Sequence, residues 1–358
     1  MPDILAPRVH DLGGFSVGRL LPHMSHRSVG PFVFFDHIGP AVLGSRNNVD
    51  VRPHPHIGLA TVTYLWEGAM LHRDSLGSVQ EIQPGDVNWM TAGRGIVHSE
   101  RTPERLRGVD HGFHGLQTWV ALPREHEETA PAFAHHPKDS LPVIEGDGVR
   151  LTIVAGHGFG ARSPVQVLSE TLYVSMDLKA GAELVIPAEH AERALFPVAG
   201  EWLLDDVPLE NGKLVVLDPD SLPLLFARTD ARAMLLGGAP LDGIWVVAIG
   251  PSGPAGGALS AADGSYRFEW TVQQSDKSTF PKRTTTDTYT NAVSFKMDKE
   301  TLDGKWEVRE THTCSGECMD IAPNCSLEHK VTGRKMERDK LQLVSPPSTG
   351  TSGPLPTS

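Results

Sequence analysis

The sequence predicts an all-β chain of two tandem barrels followed by a tail of different character. Three observations predict it. From residue 1 to 125, short apolar runs alternate with turns rich in Gly, Pro and Asp. The same texture returns from 149 to 246. Composition then breaks near residue 250. Many short strands at regular spacing argue for sandwiches or barrels rather than helical layers.

Taken in order, the first unit (1–125) contains LATVTYLWEG at 59–68, DVNWMTAG at 86–93 and LQTWVAL at 116–122, each read as a strand. Residues 126–148 read as a connection, polar and broken by Pro131, Pro137 and Pro142. The second unit (149–246) brings VRLTIVAG, TLYVSMDL, AELVIP, RALFPVAGEWLL, KLVVL and ARAMLLGG, again strand-like. The remaining stretch, 247–358, contains PSGPAGGALSAADGS at 251–265, a flexible linker of small residues, and ends on SPPSTGTSGPLPTS, which has the composition of disorder. Through residue 250 there are 16 Arg and 3 Lys, and from 251 onward 5 Arg and 8 Lys. All three cysteines lie in the tail.

Composition excludes several functions. A net charge of −12 gives no basic face for direct nucleic-acid binding. No apolar run approaches the roughly 18–20 residues of a membrane span. MPDILAPRVHDLGG lacks the basic start and apolar stretch of a signal peptide, so a cytoplasmic location is expected. The first cysteine is Cys314, so no disulfide framework is expected before it.

The chemistry concentrates in His54-Pro55-His56, answered about forty residues later by His98-Ser99-Glu100. Side chains two apart on a strand point to one face. Two such pairs on neighbouring strands would converge three imidazoles and one carboxylate, a set suited to a divalent first-row metal. Four protein ligands leave one or two positions open, as a catalytic ion needs. Pro84-Gly85-Asp86 marks a tight turn before the second pair, and Gly93-Arg94-Gly95 lets the backbone fold closely just ahead of it.

These residues, with VGPF at 29–32, FDH at 35–37, HPHIGLATVTYLWEG at 54–68, HRDSLG at 72–77, PGDVNWMTAGRGIVHSE at 84–100 and GLQTWVALP at 115–123, carry a family resemblance. The chain resembles the pirins, members of the cupin superfamily, over residues 1 to about 245. The resemblance implies two cupin-type barrels (a bicupin), only the first holding metal. It maps a non-haem metal site onto His54, His56, His98 and Glu100. The general cupin pattern has a glutamate shortly after its His-x-His pair; Ala60 and Thr61 stand there, so the resemblance assigns the carboxylate to Glu100. One Fe2+ per chain is the expected ion, with Mn, Ni, Cu or Co as substitutes. The tail departs from the family: after PLDG at 240–243 only GIWVVAIGPSG hints at the expected C-terminal structure.

The resemblance further implies a quercetinase-type dioxygenase, taking a flavonol and O2 as substrates. A divalent metal would lower the pKa of the flavonol 3-hydroxyl, and Glu100 would act as base as well as ligand. Phe34, Phe35, Trp66 and Trp89 are candidates for an apolar wall around a flat aromatic. The rival reading is a metal- or redox-dependent regulator acting through protein partners.

Other clusters carry less. Cys314, Cys318, Cys325 and His312 lack the Cys-x2-Cys spacing of zinc ribbons and read as stray tail residues. His111 and His114 read as solvated loop histidines. His72-Arg73-Asp74 reads as a structural polar network beside the barrel. His190 lacks a His-x-His partner and reads as a capping or solvated histidine. Gly93-x-Gly95 lacks the lysine and helix of a phosphate loop.

Overall fold

A computed structural model describes residues 2–11, 15–44 and 47–240, and beyond them the backbone of the strands Trp245–Gly250, Gly253–Ala258, Ser265–Thr279, Lys282–Met297 and Gly304–Gly316. Extended backbone dominates, with single 3-10 turns at Glu104–Leu106, Arg124–His126 and Lys138–Ser140.

The first barrel pairs two sheets. One runs Ala132–His136, Val87–Thr91, Leu59–Glu67, His111–Ala121, Phe32–Leu43, Ser16–Leu21 and Arg8–Asp11. The other carries Asp50–His56, Ile96–Arg101, Met70–Asp74 and Val79–Ile82, and the tail strands Trp245–Gly250 and Gly253–Ala258 extend it beyond Asp50–His56. Gly256 pairs with His56 in parallel register. Apolar clusters close the space between the sheets at both ends: Val17, Leu65, Met70, Ile82 and Phe113 at one, Val33, Phe34, Leu59, Ile96 and Trp119 at the other.

The second barrel sets the sheet ordered Asp3–Leu5, Leu214–Val216, Glu192–Ala199, Ala231–Gly238, Thr171–Leu178, Val149–Gly158, Val143–Gly146 against a four-stranded sheet of Glu183–Val185, Leu224–Ala227, Trp202–Leu204 and Val207–Leu209. Its core holds Ile153, Val174, Met176, Trp202 and Leu235. The N-terminal strand therefore belongs to the second barrel, with Asp3 opposite Val216.

A continuous apolar layer joins the barrels: Phe32, Phe35, Tyr64, Val87 and Trp89 from the first meet Tyr173, Phe196 and Met234 from the second. Phe32 lies 5.1 Å from Tyr173 and Phe35 lies 5.0 Å from Phe196 between ring centroids. Strand Leu59–Glu67 is thus buried on both faces, which explains its near-continuous apolar sequence. At the junction Gly30 has φ +53°, and a Cβ there would lie 2.6 Å from the Gly238 nitrogen, so only glycine fits.

Two expectations change. Residues 126–148, read as a connection, supply one strand to each barrel: Ala132–His136 pairs with Val87–Thr91, and Val143–Gly146 pairs with Val149–Gly158. His111 and His114 lie on a strand, not a loop. In the tail the described strands run up to Gly316, while Cys318 and Cys325, and the side chains of His312 and Cys314, fall outside the described residues.

Candidate metal centre

Strand Ile96–Arg101 lies antiparallel to Asp50–His56, with His98 directly opposite His54. The two-residue period then puts His54, His56 and His98 on one side of the sheet. The turn before His98 is held closely: Arg94 N–H donates to the Thr129 carbonyl at 2.9 Å. A Cβ on Gly93 would lie 2.0 Å from that same oxygen. Ring centroids are 4.9 Å apart for His54 and His56, 4.4 Å for His54 and His98, and 4.9 Å for His56 and His98. One nitrogen from each ring lies within 4.8 Å of the others.

These three imidazoles are 1–2% exposed. His54 gives its Nδ1–H to the Arg52 carbonyl at 2.7 Å, which leaves Nε2 as the ligating atom. Nε2 of His98 and both nitrogens of His56 are buried without a hydrogen-bond partner. Orphaned buried polar atoms are costly, and one metal ion would satisfy His98 Nε2 together with one nitrogen of His56. Burial lowers His54 to about 4 and holds His56 and His98 well below the usual histidine range. Each ring is therefore neutral near pH 7, the form that ligates.

Glu100 is buried on the same strand, but a bulge between His98 and Glu100 brings it opposite Val51. The donors that lie mutually within 4.8 Å are the three histidines; Glu100 is not among them. Its Oε1 lies 3.2 Å from the Thr63 hydroxyl, which in turn lies 2.9 Å from Gln117 Oε1. Burial raises the Glu100 carboxyl to about 7, with the Thr63 contact opposing.

An aromatic stack backs the site. Trp119 meets His56 edge-on at 4.9 Å, and Phe34 stacks on Trp119 at 4.0 Å. Arg19 lies 4.3 Å over Phe34 and forms two 2.8 Å bonds to the buried Asp36. Of the four wall candidates, Phe34 alone belongs to the cluster inside this barrel. Phe35, Trp66 and Trp89 pack toward the second barrel. Strand alternation separates the two sets, but with both faces apolar it does not say which looks inward.

His72, read as part of a polar network, does sit in one: its Nε2 is 3.0 Å from Asp74 Oδ2, and its Nδ1 is 3.4 Å from His98 Nδ1. His190, read as a capping or solvated histidine, is held by Glu170 at 2.9 Å and the His157 carbonyl at 3.0 Å. His114 meets His37 across 2.9 Å. Trp119 and Thr63 were not singled out from sequence, although each is an even number of residues from another inward position on its strand.

Comparison with known proteins follows the same outline. A profile described as Pirin matches residues 14–120, and one described as Pirin C-terminal cupin domain matches 173–251. A pirin-like protein of Caulobacter vibrioides is 48% identical over 237 residues, covering 65% of this chain and 82% of its own. Pirin-1 of Arabidopsis thaliana is 32% identical over 206 residues, covering 55% of this chain and 69% of its own. A crystal structure of quercetin 2,3-dioxygenase from Acinetobacter baumannii is 33% identical, with a TM-score of 0.64, covering 72% of this chain and 83% of its own.

Proposed function

The chain belongs to the pirin family, and from that premise we propose that it is a metal-dependent dioxygenase of quercetinase type, opening the ring of a flavonol with O2. The observation that carries the reading is the set of buried, partnerless imidazole nitrogens on His56 and His98, with the buried carboxyl of Glu100 two residues along the His98 strand. Likeness to a solved quercetin 2,3-dioxygenase supports the reaction class. Bound by His54, His56, His98 and Glu100, a divalent metal, Fe2+ by family resemblance, would supply Lewis-acid and redox chemistry to the substrate hydroxyl and O2.

The protein's own part is proton handling and exclusion of water. Glu100 takes the proton of the flavonol 3-hydroxyl; in the metal-free protein burial raises its carboxyl to about 7. Thr63 adapts to either state, because its hydroxyl can donate to the carboxylate or accept from the carboxylic acid. Trp119 and Phe34 supply a rigid apolar wall beside His56. Steady-state turnover of quercetin by metal-loaded protein tests the reading. Glu100→Gln should lower it by roughly two to four orders of magnitude, the usual worth of a positioned acid–base group. No turnover by the metal-loaded wild type across several flavonols overturns it.

One observation favours a second reading, a metal-dependent regulator acting through protein contacts. All four proposed ligands are at most 6% exposed, so little of their own surface reaches solvent. On that reading partner binding follows metal occupancy while flavonols are left unconsumed.

A further inference from the structure

A metal-ligating histidine has two ring nitrogens, and what holds the second one decides how well the first can bind. For His98, Nε2 is the buried, partnerless atom, so Nε2 faces the centre and Nδ1 carries the ring proton. That Nδ1 faces Nδ1 of His72 at 3.4 Å. The contact is a hydrogen bond only when His72 Nδ1 is bare, which requires the His72 proton to sit on Nε2. Asp74 Oδ2 lies 3.0 Å from that Nε2 and accepts it. Asp74 cannot swing away, because its Oδ1 accepts the backbone N–H groups of Leu76 at 2.9 Å and Ser78 at 3.0 Å. Phe133 stacks on the His72 ring at 4.2 Å and 13° and fixes its plane.

From this geometry we infer that His72 and Asp74 are positioning residues: a backbone-anchored carboxylate sets the His72 tautomer, and His72 in turn sets the tautomer and donor strength of His98. The inference deepens the metal-centre reading and rests on it. Every proton has one place. The turn Ser75–Ser78 pins Asp74, Asp74 takes the Nε2 proton of His72, and His72 takes the Nδ1 proton of His98. A carboxylate two links away thereby pushes electron density toward His98 Nε2. The chain also gives the inter-barrel strand Ala132–His136 a part in the centre, since Phe133 is one of its residues.

Asp74→Asn gives the sharpest test. The substituted amide keeps the shape. Two backbone N–H donors hold its oxygen, so its NH2 is turned toward His72 Nε2. His72 must then accept there and carry its proton on Nδ1, facing the Nδ1–H of His98. Two donors meet, as they do when a catalytic triad aspartate is replaced by its amide. His72→Phe keeps the stack on Phe133 but offers no acceptor, and His72→Gln restores one through its carbonyl.

Co2+ serves as the probe. Its dissociation constant is read by chelator competition, its ligand field by visible absorption, and the metal-free fold of each variant by circular dichroism. Asp74→Asn and His72→Phe should each weaken Co2+ binding by about 10- to 100-fold and shift the visible bands. His72→Gln should recover much of the affinity, and the double variant should lose no more than either single one, because the three residues act in series. Asp74→Asn carries the test if His72→Phe does not fold. Wild-type affinity and bands in folded Asp74→Asn overturn the inference. Wild-type protein that binds no Co2+ overturns the metal-centre reading itself.

Discussion

Thr63 stands between Glu100 and Gln117, 3.2 Å from the carboxylate of the first and 2.9 Å from the side-chain oxygen of the second. A hydroxyl has one proton to give, so Thr63 cannot donate to both. With Glu100 protonated, Glu100 donates to Thr63 and Thr63 donates to Gln117 Oε1. With Glu100 charged, Thr63 turns its proton to the carboxylate and the Gln117 amide presents its NH2. The pair therefore reports the protonation state of Glu100 through the direction of the chain.

Metal affinity should depend on pH through this carboxyl. In the metal-free protein burial raises Glu100 to about 7, so below that pH a ligating metal must displace its proton. Apparent affinity should climb about tenfold per pH unit up to about 7 and then level off. His54, lowered to about 4, is already neutral over that range, as are His56 and His98. Glu100→Gln should flatten the profile between pH ~5 and 7. Chelator competition across this range is the measurement, and a flat wild-type profile would remove Glu100 from the ligand set.

The metal-free fold should weaken in acid. A depressed histidine pKa stabilises the fold above the unfolded value of 6.5, and that contribution is lost as pH falls toward the folded value, about 4 for His54. Glu100 works the other way: its raised pKa stabilises the fold below 4.5, and the contribution is lost as pH rises to about 7. Three histidines outweigh one carboxyl, so the metal-free melting temperature should rise from pH 4.5 to 6.5. Metal-loaded protein should be the more stable in the upper part of that range. Thermal melts with and without EDTA check both.

His56→Ala or His98→Ala should cut metal content sharply from a wild-type stoichiometry of one, because each removes a nitrogen from a buried cluster of three. Elemental analysis of purified protein decides this. Full metal content in His54→Ala/His56→Ala would show that the site is misplaced.

The grouping of His54, His56 and His98 was legible because the strand period aligns residues two apart and a tight glycine turn marks where the second strand begins; the place of Glu100 was not, because a bulge follows His98. The barrels were legible from the strand period too. The inward face was not. Leu59–Glu67 is apolar on both sides, so alternation could not tell Trp66, which packs toward the second barrel, from the side on which Thr63 meets Glu100. His111 and His114 were hidden by Gly112, which read as part of a loop, yet Gly112 and Gly115 are both strand residues closely approached by the neighbouring strand. A Cβ at Gly112 would lie 1.8 Å from the Glu67 carboxylate, and one at Gly115 would lie 2.6 Å from the Tyr64 carbonyl. His72 was read as structural because the distance that matters, 3.4 Å to His98, joins strands far apart in sequence.

Arg19 and Asp36 form a buried ion pair, with side chains 1% and 4% exposed. Burial raises the Asp36 carboxyl even against the guanidinium. Arg19→Met leaves that group unpaired and should cost about 3–5 kcal/mol, whereas Arg19→Met/Asp36→Leu should recover much of the loss. Urea denaturation of both variants reads the difference. Equal losses would mean that packing on Phe34, not charge, dominates.

Truncation should separate the parts of the tail. Gly253–Ala258 neighbours the metal strand through Gly256 and His56, whereas Ser265–Gly316 forms a sheet of its own. A chain ending at residue 260 should keep full metal content, and one ending at 244 should bind metal more weakly. Equal affinity in the two would show that the neighbouring strand contributes nothing.

The N-terminal strand also sets an order of events. Asp3–Leu5 pairs with Leu214–Val216, across the whole first barrel and most of the second in sequence. During synthesis those first residues wait without their partner until the ribosome has made nearly the entire second barrel. The first barrel can collapse early, but the sheet of the second closes last, by capturing a strand that emerged first. Long-range pairing of this kind slows folding and leaves an open sheet edge meanwhile. Shortening the chain by a few residues at its start would therefore be felt in the assembly of its second half.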